Sequence, residues 1–486
     1  MGATRPQLGL RFAALWLAVA AGPAKGFVRA SVHAARPRLR SAVTIQFGNG
    51  PLTPTCNLRD LRVAQKNLGC VIGDLAYDTG HVCRDAMVSA FEEDTPVGLR
   101  AEAVEHALAH RTLLVDRSHW GMLSLTGDDR IRFLHSQSTS DFERASDGTV
   151  LPTCFVTNTG RMVDFCEAVV LQGEVRLLTS PQCSETLKHN FDKFIFPMDR
   201  VRVADLSAST AVFSLAGPRC LDTLLLAGCD KNPLPGRCQV WEYRGEDVLV
   251  LSGSGLKSEG YTLVMPSAVA PLLWKALNDL GSDDGSVVNA GDEEWNMVRV
   301  MEGRPAVGLE LTEEYNPLEA GLWHAIHFDK GCYVGQETIS RVNAYRGVKR
   351  QLFGVEFPSE KAAVREGEKL FVEGTEEKAG VVTSLLPAGT VLGSQGLAYI
   401  RTQAGGAGLK VTTSSGLSGT VKNIKYPRRS DAESAQPPVK KEPKKEASAA
   451  QTLQEEADKE AARKAAKLEA MQKKLAALQA RRKGAQ

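Results

Sequence analysis

The chain carries ten cysteines, at 56, 70, 83, 154, 166, 183, 220, 229, 238 and 332, yet no two stand at C-x-x-C spacing. H-E-x-x-H is missing as well. These absences exclude the zinc-finger, thioredoxin-type and zincin signatures. In a body of this size, most of the thiols are expected to be reduced and buried as small hydrophobes. The G-x-G-x-x-G fingerprint is also absent. A lone G-x-G lies in "LSGSGLKSEG", 251–260, with no βαβ pattern after it, and reads as a hairpin turn. No membrane span is expected, because the apolar run "FAALWLAVAAG", 12–22, falls short of the roughly 20 residues that cross a bilayer.

Acidic residues are missing from 1–59, where eight Lys/Arg stand alone. Arg5 and Arg11 precede the apolar run, and small residues follow it to Ala24 and Gly26, as in a secretory signal. "FVRASVHAARPRLRSAVTIQ" then reads like an organelle transit peptide, Arg-rich, hydroxylated and free of acid. The two in series predict a bipartite plastid leader over 1–59. A mitochondrial presequence and a plain secretory signal are the alternatives. At the other end, 428–451 lacks aromatics and predicts a disordered linker. Strong helix formers over 452–483 predict a charged helix, with Leu468, Met471, Leu475 and Leu478 forming a seam of two heptads, too short to establish a coiled coil. Between these ends, 60–427 holds 36 basic and 48 acidic residues, a net of −12. An acidic body argues against a nucleic-acid-binding core, which would show a basic face, and leaves only the tail for weak polyanion contacts.

From 99 to 345, helix-period segments mix with alternating strands and glycine turns, without strict β-α-β alternation. That pattern predicts an α+β body. Six short strands bounded by turn residues follow over 346–427 and predict a small β-barrel or sandwich. The stretch 60–98 carries no clear pattern.

The candidate chemistry concentrates in "HFDKGCYVGQETISR", 327–341. Gly331 and Gly335 bracket Cys332, Tyr333 and Val334, which predicts a tight turn entering a helix at about Gln336. A cysteine there meets helix N-terminal N–H groups and the Lys330 ammonium, and both favour a thiolate. The other reading of Cys332 is an inert thiol packed at a domain junction. His324 and His327 have metal-ligand spacing, but with Cys332 they make an incomplete zinc set, and they read better as ordinary core or surface histidines. Asp164 lies on a strand with Cys166 on its face, and Phe165 and Glu167 lie on the other. It is either a ligand-facing carboxylate that accepts a proton or hydrogen bond, or a solvated edge residue.

"KGCYVGQE", Lys330 to Glu337, resembles the signature of the YgfZ/GcvT-related folate-binding proteins, relatives of aminomethyltransferase, the T-protein of the glycine cleavage system. The flanking block from "VRVMEGRPAVGLELTEEYNPLEAGLW" onward, "VDRSHWGMLSLTGDDRIRFLHSQSTSDF", "FSLAGPRC" and "KAGVVTSLL" match in the same order, so the likeness spans about 100–426. It is nearest the plastid branch. The resemblance implies a three-domain clover-leaf around a channel that takes tetrahydrofolate, with a small C-terminal β-barrel. It also implies a role in iron–sulfur protein assembly or repair, with assembly proteins or client apoproteins as partners. A folate-dependent aminomethyl transferase is the alternative. Under the resemblance the working residues are Cys332 and Lys330 within Lys330, Gly331, Cys332, Tyr333, Gly335, Gln336 and Glu337. Cys332 would be a ligand to an iron–sulfur cluster only transiently or shared with a partner. Asp164, Glu259 and Arg299 would contact the folate. T-proteins carry a tandem Asp pair where this chain has Asp164-Phe165, so the proton-transfer role of the pair is incomplete here.

Overall fold

The computed structural model of the protein describes residues 58–67, 70–76, 82–91, 97–345, 347–357, 364–386 and 394–426. The predicted leader up to residue 57, the linker and the charged helix lie outside them.

The body is built on two sheets. Six strands run in the order Cys238–Tyr243, Glu246–Ser252, Gly260–Pro266, Thr210–Ala216, Thr112–Asp116 and Val287–Ala290. Only the last pair is parallel. Thr112–Asp116 and Thr210–Ala216 are buried along their whole length, which is why they read as continuous apolar runs rather than alternating ones. Helix Ala270–Asp284 covers one face with Leu273, Trp274 and Leu277, all fully buried, and ends at Gly285 in the left-handed region (φ +64°). The G-x-G segment is the turn between the second and third strands of this sheet, as the sequence predicts.

The stretch 60–98 contributes elements that its sequence pattern does not announce. Helix Leu58–Lys66 starts two residues inside the span assigned to the leader. It sinks Leu61 into the core of the six-stranded sheet. Arg62 and Gln65 reach the buried Asp116 carboxylate, which also accepts from the Ser118 N–H at 2.7 Å. Burial alone would push the Asp116 carboxyl up, but these partners together hold it below its usual range. A hairpin of Cys70–Ala76 and Val82–Phe91 follows.

The second sheet orders Thr149–Val156, Met162–Leu171, Glu174–Thr179, Gly121–Thr126 and Arg202–Asp205, all antiparallel. Left-handed glycines at 160 and 173 cut the first three strands apart. Helices Arg130–Gln137 and Cys183–Phe194 close its core through Phe133, Leu134, Leu187 and Phe191. The third module resolves the barrel-or-sandwich choice. Six strands between Arg350 and Lys422 close into a barrel, so no hydrogen-bonding edge is left open.

The barrel is locked to the body. Arg299, on helix Asp292–Glu302, gives Nη1 to Glu310 at 3.1 Å, Nη2 to Ser384 Oγ of the barrel at 3.0 Å and Nε to Asn296 at 2.6 Å. Tyr315 stacks on Tyr399 with centroids 3.6 Å apart. The result is an α+β clover-leaf of two sheet modules and a barrel.

Candidate functional site: the signature loop and a buried cationic chamber

The signature folds as the predicted turn and helix. Gly335 is the residue before helix Gln336–Ala344, with φ +78°. A Cβ there would stand 2.6 Å from the Thr157 carbonyl oxygen and 3.0 Å from Gly160 Cα, so only glycine fits both the backbone angle and the contact. Gly160 in turn lies against the Gly335 carbonyl and Thr338, and two glycine turns press together. Gln336 reaches back to the Tyr333 N–H at 3.3 Å, and Glu337 sits in the first turn, where the helix dipole favours a carboxylate.

Lys330 and Cys332 part company. Lys330 is buried, and its ammonium donates to three carbonyl oxygens, of His135 at 2.5 Å, Ser138 at 2.8 Å and Ser140 at 2.5 Å. It ties the 135–140 loop to the signature, and burial lowers its pKa to about 8. All three of its protons are thereby committed. Cys332 is exposed, whereas the other seven described free cysteines are buried. Behind the turn, His135 points Nε2 at Gly331, 3.2 Å from where a Cβ would stand, and its Nδ1 lies 3.3 Å from Asp141 Oδ1. Burial, then the Lys330 charge, lowers the His135 pKa. The sequence pattern gave no sign that His135 and Asp141 back this loop. Beside it, a cleft of about 300 Å³ includes Asn158, Phe194 and Val334 in its lining, and Phe194, Phe196 and Met198 are exposed at 46%, 64% and 92%.

The second locus lies where the three modules meet. Arg117 places its guanidinium carbon 3.8 Å from the Trp120 ring centroid and 4.5 Å from that of Trp295, two indoles that stand nearly perpendicular to each other (85°). Arg304 approaches Trp120 at 5.2 Å, Phe165 at 5.5 Å and Trp295 at 5.8 Å, and reaches the hydroxyl of Tyr426 at the end of the barrel. His324 completes the wall, edge-on to Phe165 at 5.8 Å and to Tyr426 at 5.7 Å. Water reaches His324, yet desolvation and then Arg304 depress its pKa to about 4. Gly255, in the hairpin turn, makes room for Arg117, since a Cβ there would meet Nη1 at 2.6 Å. Glu302 fixes that turn by accepting from the N–H groups of Lys257 (2.5 Å) and Ser258 (3.0 Å).

The three expected folate contacts do not face this chamber. Asp164 shares a face with Phe155 and Cys166, as predicted for Cys166. Fully buried, it accepts from the N–H groups of Phe165 (2.7 Å) and Ser180 (3.1 Å) and from Cys166 Sγ (3.1 Å). Burial raises its pKa, against those three donors. It is neither solvated nor turned toward the chamber, because strand alternation presents Phe165 and Glu167 there instead. Glu259 is exposed, beyond the turn that Glu302 holds. Arg299 is spent on Glu310, Ser384 and Asn296. His324 and His327 are separate features, one in the chamber wall and one near Lys330. Among the described residues no group of three His, Cys, Asp or Glu is arranged to hold a metal, and no helix is long and apolar enough to cross a membrane.

Comparison with known proteins agrees with this architecture. Residues 86–330 match the family model described as the GCVT N-terminal domain. A protein of Arabidopsis thaliana named "Putative transferase At1g60990, chloroplastic" is 36% identical over 366 residues, covering 74% of this chain and 80% of that one. The aminomethyltransferase of Halalkalibacterium halodurans is 28% identical over 327 residues, 65% of this chain and 86% of that protein. The crystal structure of the glycine cleavage system aminomethyltransferase T from Bartonella henselae superposes with a TM-score of 0.64 at 19% identity, covering 76% of this chain and 99% of that one, a likeness of fold. With the signature octapeptide, the clover-leaf and these relatives in agreement, the chain belongs to the GcvT-related folate-binding family.

Proposed function

We propose that the chain is a plastid protein that binds a reduced folate and supports assembly or repair of iron–sulfur proteins, with the Cys332 sulfur meeting the client. The observation that carries this reading is the contrast among thiols: seven buried, and Cys332 exposed on a turn that two glycines hold rigid. A cluster takes four protein ligands, usually thiolates, so a partner supplies the others, and Cys332 touches a cluster only as a shared or transient ligand. The apolar lip of Phe194, Phe196 and Met198 beside the loop suits a protein client. The plastid assignment draws on the acid-free leader and on the word "chloroplastic" in the Arabidopsis relative's name.

The chamber fits a folate in kind. Two indoles and two guanidiniums suit a flat, electron-rich ligand. In this reading Trp120, Trp295, Arg117 and Arg304 hold tetrahydrofolate, and Arg299 braces the wall from behind. When bound, the folate supplies a one-carbon carrier. An aminomethyl transferase would need a base on the chamber side, where alternation puts Phe165 in place of the second Asp of the pair and leaves Glu167 as the carboxylate on that face.

In a strain lacking a family member, Cys332→Ala should fail to complement while the purified variant keeps its fold and its affinity for reduced folate. Complementation by Cys332→Ala overturns the role of the sulfur. Methylene transfer from an aminomethyl donor to tetrahydrofolate, lost in Asp164→Asn, would establish the transferase instead.

A further inference from the structure

The chamber wall holds two positive charges without a contact ion pair among the described residues. Arg117 and Arg304 are 1% and 4% exposed, and among the described residues no carboxylate lies within ion-pair distance of either. Glu167 acts on Arg117 only at longer range. Arg117 has one hydrogen bond, Nη1 to Ser214 Oγ at 3.0 Å. Arg304 has a long one, Nη1 to the Pro305 carbonyl at 3.3 Å, besides Tyr426. The Nε of each arginine and the Nε1 of Trp120 are buried donors without partners. Burying an unpaired cation costs several kcal/mol, and two near each other cost more. Burial pushes the Arg117 pKa down to about 9, and the charge of Arg304 adds to the effect while Glu167 opposes it.

We infer that Arg117, Arg304 and the Trp120 indole N–H form a buried site for a carboxylate on a flat ligand. Three points fix the chemistry. All three unfilled groups are donors, so the missing group is an acceptor, and an ionised carboxylate is acceptor-only. A guanidinium presents its N–H groups as a planar fork, which a carboxylate meets with two coplanar oxygens, and the surrounding rings of Trp120, Trp295 and Phe165 suit a flat organic acid. The 2-amino and N3–H groups of a pterin are donors and would meet donors here, so a pterin offers these groups only its ring carbonyl, one neutral acceptor against the two charged oxygens of a carboxylate. The inference rests on the chamber being the ligand site proposed above. It adds that an acid group, and not the pterin edge, seats against the arginines. The carboxylate can belong to the glutamate end of a folate or to a separate small organic acid.

The test is a titration of the full chain, followed by calorimetry and tryptophan fluorescence, with four probes: tetrahydropterin, tetrahydrofolate, its triglutamate form and benzoate. The carboxylate-bearing folates should bind at least about 10-fold tighter than tetrahydropterin, as expected for hydrogen bonds to a charged group. Arg117→Met and Arg304→Met should each weaken them about 10- to 100-fold without lowering the melting temperature of the ligand-free protein, because an unpaired buried charge is removed. Trp120→Phe keeps the ring and removes only the N–H, and should weaken binding while folding normally. Arg-dependent binding of benzoate with no folate bound would support the carboxylate site and sink the folate reading. Folate binding that matches tetrahydropterin and is unchanged in all three variants would overturn the site and leave the folate reading standing. Arginine variants that unfold, together with Trp120→Phe binding like wild type, would also overturn it and make the arginines structural.

Discussion

The signature loop and the central chamber solve opposite problems. The loop keeps a thiol outside: Cys332 is in water, and the residues that fix its turn lie beneath the surface, in Lys330, Gly335 and the turn at Gly160. The chamber keeps charge inside, with two arginines walled by aromatic rings drawn from all three modules. The loop is contiguous in sequence and its spacing is its message. The chamber joins residues from 117 to 426, and no spacing announces it. A local motif therefore marks the exposed cysteine, whereas the buried arginine cluster is a product of tertiary assembly.

Four measurements test that division. The largest effect is expected at the wall behind the chamber. Arg299→Leu strands Glu310, which is fully buried, and should cost about 3–5 kcal/mol in chemical denaturation. A cost below about 1 kcal/mol would mean that the barrel is not held by this clasp. Next is the loop's foundation. Gly335→Ala forces a Cβ onto the Thr157 carbonyl at positive φ and should cost about 2 kcal/mol, whereas Gly245→Ala, with positive φ but no neighbour within 4 Å, should cost about 1. Equal losses would show that the glycine–glycine contact contributes nothing. Cys332→Ala should change stability by no more than about 0.5 kcal/mol, because the side chain is exposed. In the native protein a maleimide should label Cys332 well before Cys154 or Cys166, which are fully buried with pKa values raised by burial. Comparable labelling rates would erase the contrast on which the proposed function stands.

The smallest effect is a pH slope. Desolvation holds His324 at about 4 in the folded chain, below its ordinary 6.5, so folding favours the neutral ring. Stability is then complete above about pH 6.5 and falls as pH drops toward 4, because the unfolded chain binds the proton first. Water reaches the ring, so the slope is shallow. His324→Gln should flatten it, and an NMR titration of His324 with a midpoint near 6.5 would contradict the desolvation of the ring.

Much of the fold was legible because its signals are local. The hairpin at 251–260, the helix starting at Gln336, the turns at Gly160 and Gly173 and the six barrel strands all follow from glycine placement and hydrophobic period. Helix Leu58–Lys66 was missed because it adjoins a stretch that composition assigns to a leader, and its anchors lie far off in the chain, Leu58 and Leu61 packing on the sheet core and Arg62 and Gln65 meeting Asp116, over fifty residues away. The face pairing of Asp164 with Cys166 was readable from the strand period. Which face meets the chamber was not, since that depends on Arg304, His324 and Tyr426 folding back over Phe165. Lys330 was expected to serve the cysteine because it is two residues away. The loop carbonyls that claim it belong to 135–140, far off in the chain.

The anchoring of Leu61 and Arg62 has a consequence for shortening the chain. Removal of residues through Leu61 takes away the side chain that plugs the first core, and removal of Arg62 as well strips Asp116 of its charge partner. Such a product would carry a leucine-sized void and a buried carboxylate without its cation. Helix Leu58–Lys66 thus sets the point beyond which truncation opens the first core.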